Sequence, residues 1–223
     1  MAVSGSYAYV ADGDGGLRVI DVSDPEEPVE AGRWQALGHA YGVAVSGAHA
    51  YVADGHVGLR VIDVSDPANP FEAGRWETLG YAYSVAVSGG YAYVADGSGG
   101  LQVVDVSDPA NPLQAGQCDT PGYAYGVEVS GPYAYLADGD GGLRVIDVSD
   151  PANPFEAGHC DTSGYACGVA VANATAYLAD GDGGLRVFDV SDPANPSEVG
   201  QWNGAAWAWD AAVSGAYAYL ADG

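Results

Sequence analysis

A repeat of 42 residues runs through the whole chain. The pentapeptide YVADG begins at Tyr9, Tyr51 and Tyr93, and YLADG begins at Tyr135, Tyr177 and Tyr219. Five intervals of 42 residues leave 13 residues, and the final AVSGAYAYLADG nearly repeats the opening AVSGSYAYVADG, so residues 1–13 and 211–223 are equivalent. Such a chain folds as one structural unit used repeatedly, in which neighbouring units bury each other's apolar faces.

Each unit predicts four short antiparallel strands. Apolar residues alternate with smaller ones over residues 41–45, and further apolar runs lie near Tyr51, Leu59 and Phe71. Turn sequences separate these runs: Ser-Gly, Asp-Gly-Asp-Gly-Gly and Ser-Asp-Pro-Ala-Asn-Pro. Four strands in 42 residues match the blade of a β-propeller, whereas the coils of a β-solenoid are normally shorter. We predict an all-β, single-domain propeller over residues 1–223, five-bladed, with a six-bladed or incomplete ring as the alternative.

Composition narrows the class of protein. Because 48% of the residues are hydrophobic, the 34 glycines and 12 prolines indicate a packed, turn-rich fold and not a disordered linker. The net charge of -24 repels phosphate and excludes nucleic acid as an expected partner. No apolar stretch approaches the roughly 20 residues of a membrane helix, so no membrane span is expected. The opening residues have no signal-peptide pattern, and three cysteines do not predict a disulfide framework.

A longer motif carries a family resemblance. GLRVIDVSDP begins at Gly16, Gly58 and Gly142, with the variants GLQVVDVSDP at Gly100 and GLRVFDVSDP at Gly184. These segments resemble the LVIVD-repeat family of bacterial and archaeal cell-surface proteins. The resemblance covers essentially the whole chain and implies a propeller that is often extracellular or at the cell surface, but it implies no particular chemistry.

Two loops differ most among the units, and in a propeller they share one face. The loop entering the first strand carries an aromatic residue or His at its first variable position and usually another aromatic two residues later. The turn between the second and third strands varies at the position of His56. The predicted ligand contacts are His39, Tyr41, Tyr81, Tyr83, Tyr123, Tyr125, Tyr165, Trp207, Trp209, Asp210 and His56. Such rings could stack a sugar or hold a cationic group, or they could serve only as wedges between neighbouring units.

The aspartates of the turns allow a weaker metal hypothesis. Asp12 and Asp14, Asp138 and Asp140, and Asp180 and Asp182 resemble the first half of a calcium loop. The third ligand and the distal Glu are missing, so a plain hairpin turn is favoured, with no cofactor expected and calcium as the alternative.

Other repeated charged residues have structural interpretations. Asp21 and Asp24, with their counterparts in every unit, are predicted to accept backbone N–H bonds in turns. The third-strand arginines, at 18, 60, 144 and 186, are predicted to lie toward the rim.

The functional prediction is a non-catalytic module that binds a protein or a ligand, with carbohydrate as one ligand class. No Gly-x-Ser-x-Gly elbow is present, and the cysteines lack a motif-like pairing with His and Asn. The alternative is a structural or self-assembling protein. In that case the equivalent segments 1–13 and 211–223 would compete for one place, and the displaced strand would pair with another chain to give a homo-oligomer.

Overall fold

The computed structural model describes residues 1–223 as an all-β chain of 22 strands. They form five four-stranded antiparallel sheets and one two-stranded sheet, and the four-stranded sheets follow chain order from one edge to the other. No helix is present that is long and apolar enough to cross a membrane. The predicted all-β class and the four strands in each complete repeat are confirmed.

The six sheets follow one another along the chain. The first contains β1 (Ala2–Ser4), β2 (Tyr7–Ala11), β3 (Leu17–Asp21) and β4 (Val29–Trp34). The second contains β5 (Gly42–Ser46), β6 (His49–Ala53), β7 (Leu59–Asp63) and β8 (Phe71–Trp76). The third contains β9 (Ser84–Ser88), β10 (Tyr91–Ala95), β11 (Leu101–Asp105) and β12 (Leu113–Cys118). The fourth contains β13 (Gly126–Ser130), β14 (Tyr133–Ala137), β15 (Leu143–Asp147) and β16 (Phe155–Cys160). The fifth contains β17 (Gly168–Ala172), β18 (Thr175–Ala179), β19 (Leu185–Asp189) and β20 (Ser197–Trp202), and the sixth contains β21 (Ala208–Ser214) and β22 (Tyr217–Asp222).

Turn chemistry sets the strand ends. Between the first and second strands, Gly47 and Gly131 have φ values of 59° and 60°, in the left-handed region that favours glycine. Asn173 has a φ of 49° at the same position of the fifth sheet, because Asn tolerates this backbone better than other side chains do.

Aspartates hold the turn between the third and fourth strands. The Asp63 carboxylate accepts hydrogen bonds from the hydroxyl of Ser65 at 2.5 Å and from its backbone N–H at 2.8 Å, and both lower the pKa of Asp63. Asp66 accepts the N–H of Ala68 at 3.1 Å and the side-chain amide of Asn69 at 2.8 Å. The structural role predicted for these aspartates is confirmed.

The chain divides into two compact units, one of residues 1–94 and 103–115 and one of residues 95–102 and 116–223. In the first unit, Tyr9, Leu17 and Val19 of the first sheet form one core cluster with Val52 and Ile62 of the second. The second unit repeats this arrangement, with Tyr135, Leu143 and Val145 of the fourth sheet against Leu178 and Phe188 of the fifth. In both units, therefore, one sheet buries its apolar face on the sheet that follows it.

A glycine on the fourth strand allows this close approach. A Cβ added to Gly32 would clash with the carbonyl oxygen of Pro67 in the next sheet, and one added to Gly158 would clash with that of Pro193. The Ser-Asp-Pro turn of each following sheet thus rests on the glycine of the sheet before it.

The third-strand arginines differ in exposure. Arg60 is only 3% exposed and Arg144 is also buried, whereas Arg18 of the first sheet is half-buried. The guanidinium Nε atoms of Arg60 and Arg144 lie 3.5 and 3.6 Å from Oδ2 of Asp54 and Asp138, which are fully buried. A buried carboxylate requires a partner, and the arginine provides it from the neighbouring strand of the same sheet.

Candidate functional site

The loops that carry the aromatic residues are held by the turn of the preceding sheet. In the first unit, Gly13 and Ala40 exchange two backbone hydrogen bonds, each of 3.0 Å. In the second unit, Gly139 and Ala166 make the same pair, also at 3.0 Å. The two loops singled out in the sequence are therefore neighbours within each unit.

The buried aspartate of the YVADG or YLADG motif holds the same loop from its own sheet. Asp138 accepts the hydroxyl hydrogen of Thr120 at 2.6 Å and the backbone N–H of Gly122 at 2.9 Å. Asp180 accepts the equivalent bond from Thr162 at 2.6 Å. Burial raises the pKa of both carboxyl groups, although these hydrogen bonds and the neighbouring arginines act in the opposite direction. Each aromatic loop is thus fixed at two points.

The calcium candidates differ in their contacts. The carboxylates of Asp138 and Asp180 already accept hydrogen bonds from the protein, and Asp12 pairs with Arg18. Their turn partners Asp14, Asp140 and Asp182 are exposed, and Oδ1 of Asp14 lies 2.8 Å from Nδ1 of His39. No group of three or more His, Cys, Asp or Glu side chains has an arrangement that could hold a metal ion.

In the first unit the aromatic residues form a continuous cluster. Tyr41 lies 4.6 Å from His39, 5.6 Å from Tyr81 and 5.0 Å from Tyr83, measured between ring centroids. Tyr81 also lies 6.3 Å from the ring of His56, which belongs to the neighbouring turn. These distances are typical of interacting aromatic pairs.

The second unit holds a corresponding cluster that ends in two tryptophans. Tyr125 lies 5.1 Å from Tyr123 and 5.4 Å from Tyr165, and the hydroxyl groups of Tyr125 and Tyr165 are 3.0 Å apart. Tyr165 lies 6.3 Å from Trp207, which lies 5.8 Å from Trp209.

The two aromatic positions of each loop have different surroundings. The first ring covers the glycine of the preceding turn: a Cβ added to Gly13 would lie 2.7 Å from His39, and one added to Gly181 would lie 3.2 Å from Trp207. At the second position Tyr41 is 43% and Trp209 58% exposed, whereas Tyr83 and Tyr125 are half-buried, as the first-position rings are. The first position therefore has the contacts of a wedge, and Tyr41 and Trp209 are the second-position rings that can meet a ligand.

One charged residue near this region was missed by the sequence analysis. Glu128 on β13 stands where the other units have alanine, for example Ala44 and Ala170. Although Glu128 and Asp210 both reach solvent, crowding by surrounding protein raises the pKa of each, and the Asp210 charge contributes to the effect on Glu128. The break in the alanine pattern was the signal that could have identified Glu128.

The Asp210 carboxylate lies beside the start of β17. A Cβ on Gly168 would lie 2.6 Å from Oδ1 of Asp210, and one on Gly126 would lie 3.0 Å from the Cα of Gly168. The first strands β13, β17 and β21 thus approach one another closely at their starts.

Family and fold comparisons agree with the repeat. A family model described as LVIVD repeat matches residues 1–36, 37–78, 79–120, 121–162, 163–204 and 205–223. No curated protein matches the chain significantly.

Solved structures share the fold at low sequence identity. A protein from Bacteroides uniformis ATCC 8492, provisionally assigned as a 6-phosphogluconolactonase, has a TM-score of 0.81 at 14% identity, covering 97% of this chain and 75% of its own. A functionally unknown protein from Desulfotomaculum acetoxidans DSM 771 has a TM-score of 0.74 at 15% identity, covering 89% and 67%. The computationally designed Ika8 protein has a TM-score of 0.73 at 11% identity, covering 99% and 67%. At these identities the likeness concerns the fold alone.

Proposed function

The chain belongs to the LVIVD repeat family, whose model matches it from end to end, and on that premise we propose that it is a non-catalytic ligand-binding module at a cell surface. We further propose that residues 1–223 form a single β-propeller domain of five blades, with a six-bladed or incomplete ring as the alternative. The packing of one sheet on the next, which is repeated within each unit, supports this arrangement, because closing such a series leaves only short sheet edges.

One observation carries the binding proposal: exposed aromatic rings stand on loops that are held at two points. Tyr41 and Trp209 keep large fractions of their surface open to solvent, while backbone pairs such as Gly13 with Ala40 fix the loops beneath such rings. A preorganised aromatic surface binds a ligand with little loss of conformational entropy.

The charges around the rings indicate the class of ligand. All six arginines lie on third or fourth strands, and the chain has no lysine. Arg144 and Arg186 reach the loop before Tyr165 through Asp161 and Ser163, but both guanidinium groups are already paired with buried carboxylates. Asp210 and Glu128 instead provide carboxylates in the second unit. Aromatic faces bordered by carboxylates suit the C–H faces and hydroxyl groups of a neutral sugar, and anionic ligands are disfavoured. A cationic group held over the rings is the second ligand class.

No chemical step is part of this proposal. The repeated aspartates already serve as loop anchors or turn acceptors, as Asp138 and Asp66 do. A broad hydrolase panel would contradict the proposal if it showed turnover that one point substitution abolishes.

No metal or cofactor is part of it either, because the carboxylates of Asp138 and Asp180 accept hydrogen bonds from the protein itself. We expect the melting temperature to stay the same when a chelator is added in low-calcium buffer. A fall in melting temperature that calcium reverses would restore the calcium alternative.

The test of binding is a glycan array probed with the intact chain, followed by titration of any sugar that is retained. A parallel set of basic peptides with methylated lysines covers the cationic class. We expect neutral glycans to bind and acidic glycans to bind less well. Retention of neither set, or a preference for acidic glycans, would contradict the proposal.

A further inference from the structure

The hairpin turn between β17 and β18 differs from its counterparts in the other sheets. Asn173 and Thr175 stand where every other sheet has Gly and either Tyr or His. Asn173 and Ala174 form a two-residue loop, since Ala172 pairs with Thr175 on either side of them. Their φ values of 49° and 59° fit a type I′ turn, which favours Asn at its first position. The backbone therefore accounts for Asn173.

The turn does not account for Thr175. The equivalent residues Tyr7 and Tyr133 are partly buried and pack against the core clusters of their units. Threonine cannot make this aromatic contact, and the geometry of the turn does not require it. The exchange at Thr175 thus gives up packing that the other sheets keep.

Together, the two exchanges create the sequence Asn-Ala-Thr, which is the acceptor motif for N-linked glycosylation. No other asparagine of the chain has this motif, because Asn203 lacks a Ser or Thr two residues later and proline directly follows the rest. Asn195 comes nearest to it, since Ser197 lies two residues later, but Pro196 between them blocks the motif.

The Asn173 amide is available for reaction. The asparagines in the turns between third and fourth strands instead donate their side-chain amides to an aspartate Oδ2 at 2.8 or 2.9 Å, as do Asn69, Asn111, Asn153 and Asn195. Asn173 is exposed at the tip of its hairpin, and its amide makes no hydrogen bond with the protein. An enzyme can reach this nitrogen without opening a sheet.

We propose that Asn173 is a glycosylation site that accepts an oligosaccharide from a lipid-phosphate donor. Nδ2 of Asn173 forms a bond to the anomeric carbon of the first sugar, and the bond from that carbon to the phosphate oxygen breaks. The lipid phosphate leaves with the bonding electrons, and Nδ2 releases one proton to the transferase. This site rests on the proposed location at a cell surface, because the motif is modified in secreted proteins.

A glycan at Asn173 would leave the proposed ligand surface free. β17 begins at Gly168, shortly after the aromatic loop that carries Tyr165, and ends at Ala172, directly before Asn173. At about 3.3 Å per residue, five residues separate the two ends of this strand by roughly 16 Å. The fifth sheet would therefore present its aromatic loop at one end and the glycan at the other.

The test is secretion of the whole chain from a eukaryotic cell line, with intact mass measured before and after treatment with a peptide N-glycosidase. We expect the mass of one glycan per chain, lost on treatment, with Asp found at position 173 by peptide mapping. Asn173→Gly and Thr175→Tyr introduce the residues of the other sheets, so both should fold and carry no glycan. Thr175→Ser keeps the motif and should still be modified.

Two results would overturn the proposal. One is a secreted, folded chain without a glycan, which would leave Asn173 as a turn residue alone. The other is a glycan that persists in Asn173→Gly, which would place the modification elsewhere. Because secretion is imposed in this experiment, neither result bears on the natural location or on ligand binding by the aromatic loops, so the two proposals fail independently.

Discussion

Arg60 shows how a single residue decides the stability of a repeat. Its guanidinium lies 3.5 Å from the buried Asp54 carboxylate and 3.5 Å from the Glu72 carboxylate. Burial of the Asp54 carboxylate costs free energy, and the hydrogen bond from Gly38 and the charge of Arg60 offset part of this cost. The sequence identified Arg60 but not its burial or its pairing with Asp54, because a period-two pattern assigns side chains to faces and cannot show how deeply a charged pair is covered.

We expect Arg60→Ala to lower the free energy of unfolding by about 3 kcal/mol at pH 7, because it leaves a buried carboxylate without its cation. Arg60→Gln should lose less, since the third sheet carries Gln102 at this position. Denaturant unfolding of the three proteins measures the difference. Equal losses for the two variants would show that the charge of Arg60 contributes little.

The stability lost in Arg60→Ala is expected to depend on pH. Burial raises the pKa of Asp54 above its usual 3.8, so the folded state binds the proton more tightly than the unfolded chain. Stability therefore falls as pH rises from 3.8 through the raised pKa. Removing Arg60 raises this pKa further, so the loss in Arg60→Ala should shrink as the pH approaches 4. A loss that is constant with pH would contradict this account.

At the scale of strands and turns, the seating of each Ser-Asp-Pro turn on a glycine sets the distance between sheets. We expect Gly158→Ala to lower the free energy of unfolding by roughly 1–3 kcal/mol, because its Cβ would clash with the carbonyl of Pro193. The matched control is Gly200→Ala, where the same added methyl group meets only Val187. Thermal unfolding of both variants at low protein concentration tests this difference, and equal melting temperatures would contradict it.

Much of this element-scale structure could be predicted. Period-two alternation and turn residues predicted four strands per repeat, as the five four-stranded sheets have. The double anchoring of the aromatic loops could not be predicted. It depends on the Gly13–Ala40 bridge and on Asp138 binding Gly122, contacts between residues that are far apart in sequence.

For the whole molecule, the carboxyl groups predict an unusual dependence of folding stability on pH. Asp54, Asp138 and Asp180 have raised pKa values, so their contribution to stability falls as pH rises above 3.8. Asp21 and Asp189 have lowered pKa values, so their contribution is gained as pH rises toward 3.8. Self-repulsion of the net charge of -24 at pH 7 also lowers stability as the pH rises, as the aspartates with raised pKa values do.

We therefore expect the melting temperature to be highest at about pH 4 to 5, below the range of roughly 5 to 8 that is common for proteins. At pH 7, added salt should raise it by screening the repulsion. Scanning calorimetry of dilute protein tests both effects, and a melting temperature that rises steadily from pH 4 to pH 7 would contradict the assignment.

The first aromatic position of each loop is expected to maintain the structure, whereas the exposed second-position rings, Tyr41 and Trp209, are expected to meet the ligand. The most direct test measures the melting temperature and glycan affinity of Trp207→Ala and Trp209→Ala together. Trp207 covers Gly181, so its loss should lower the melting temperature by several degrees. The largely exposed Trp209 should instead be dispensable for stability, with affinity falling at least about tenfold, the loss expected for one stacking ring. A marked loss of stability with unchanged affinity in Trp209→Ala would contradict the claim and make both positions wedges.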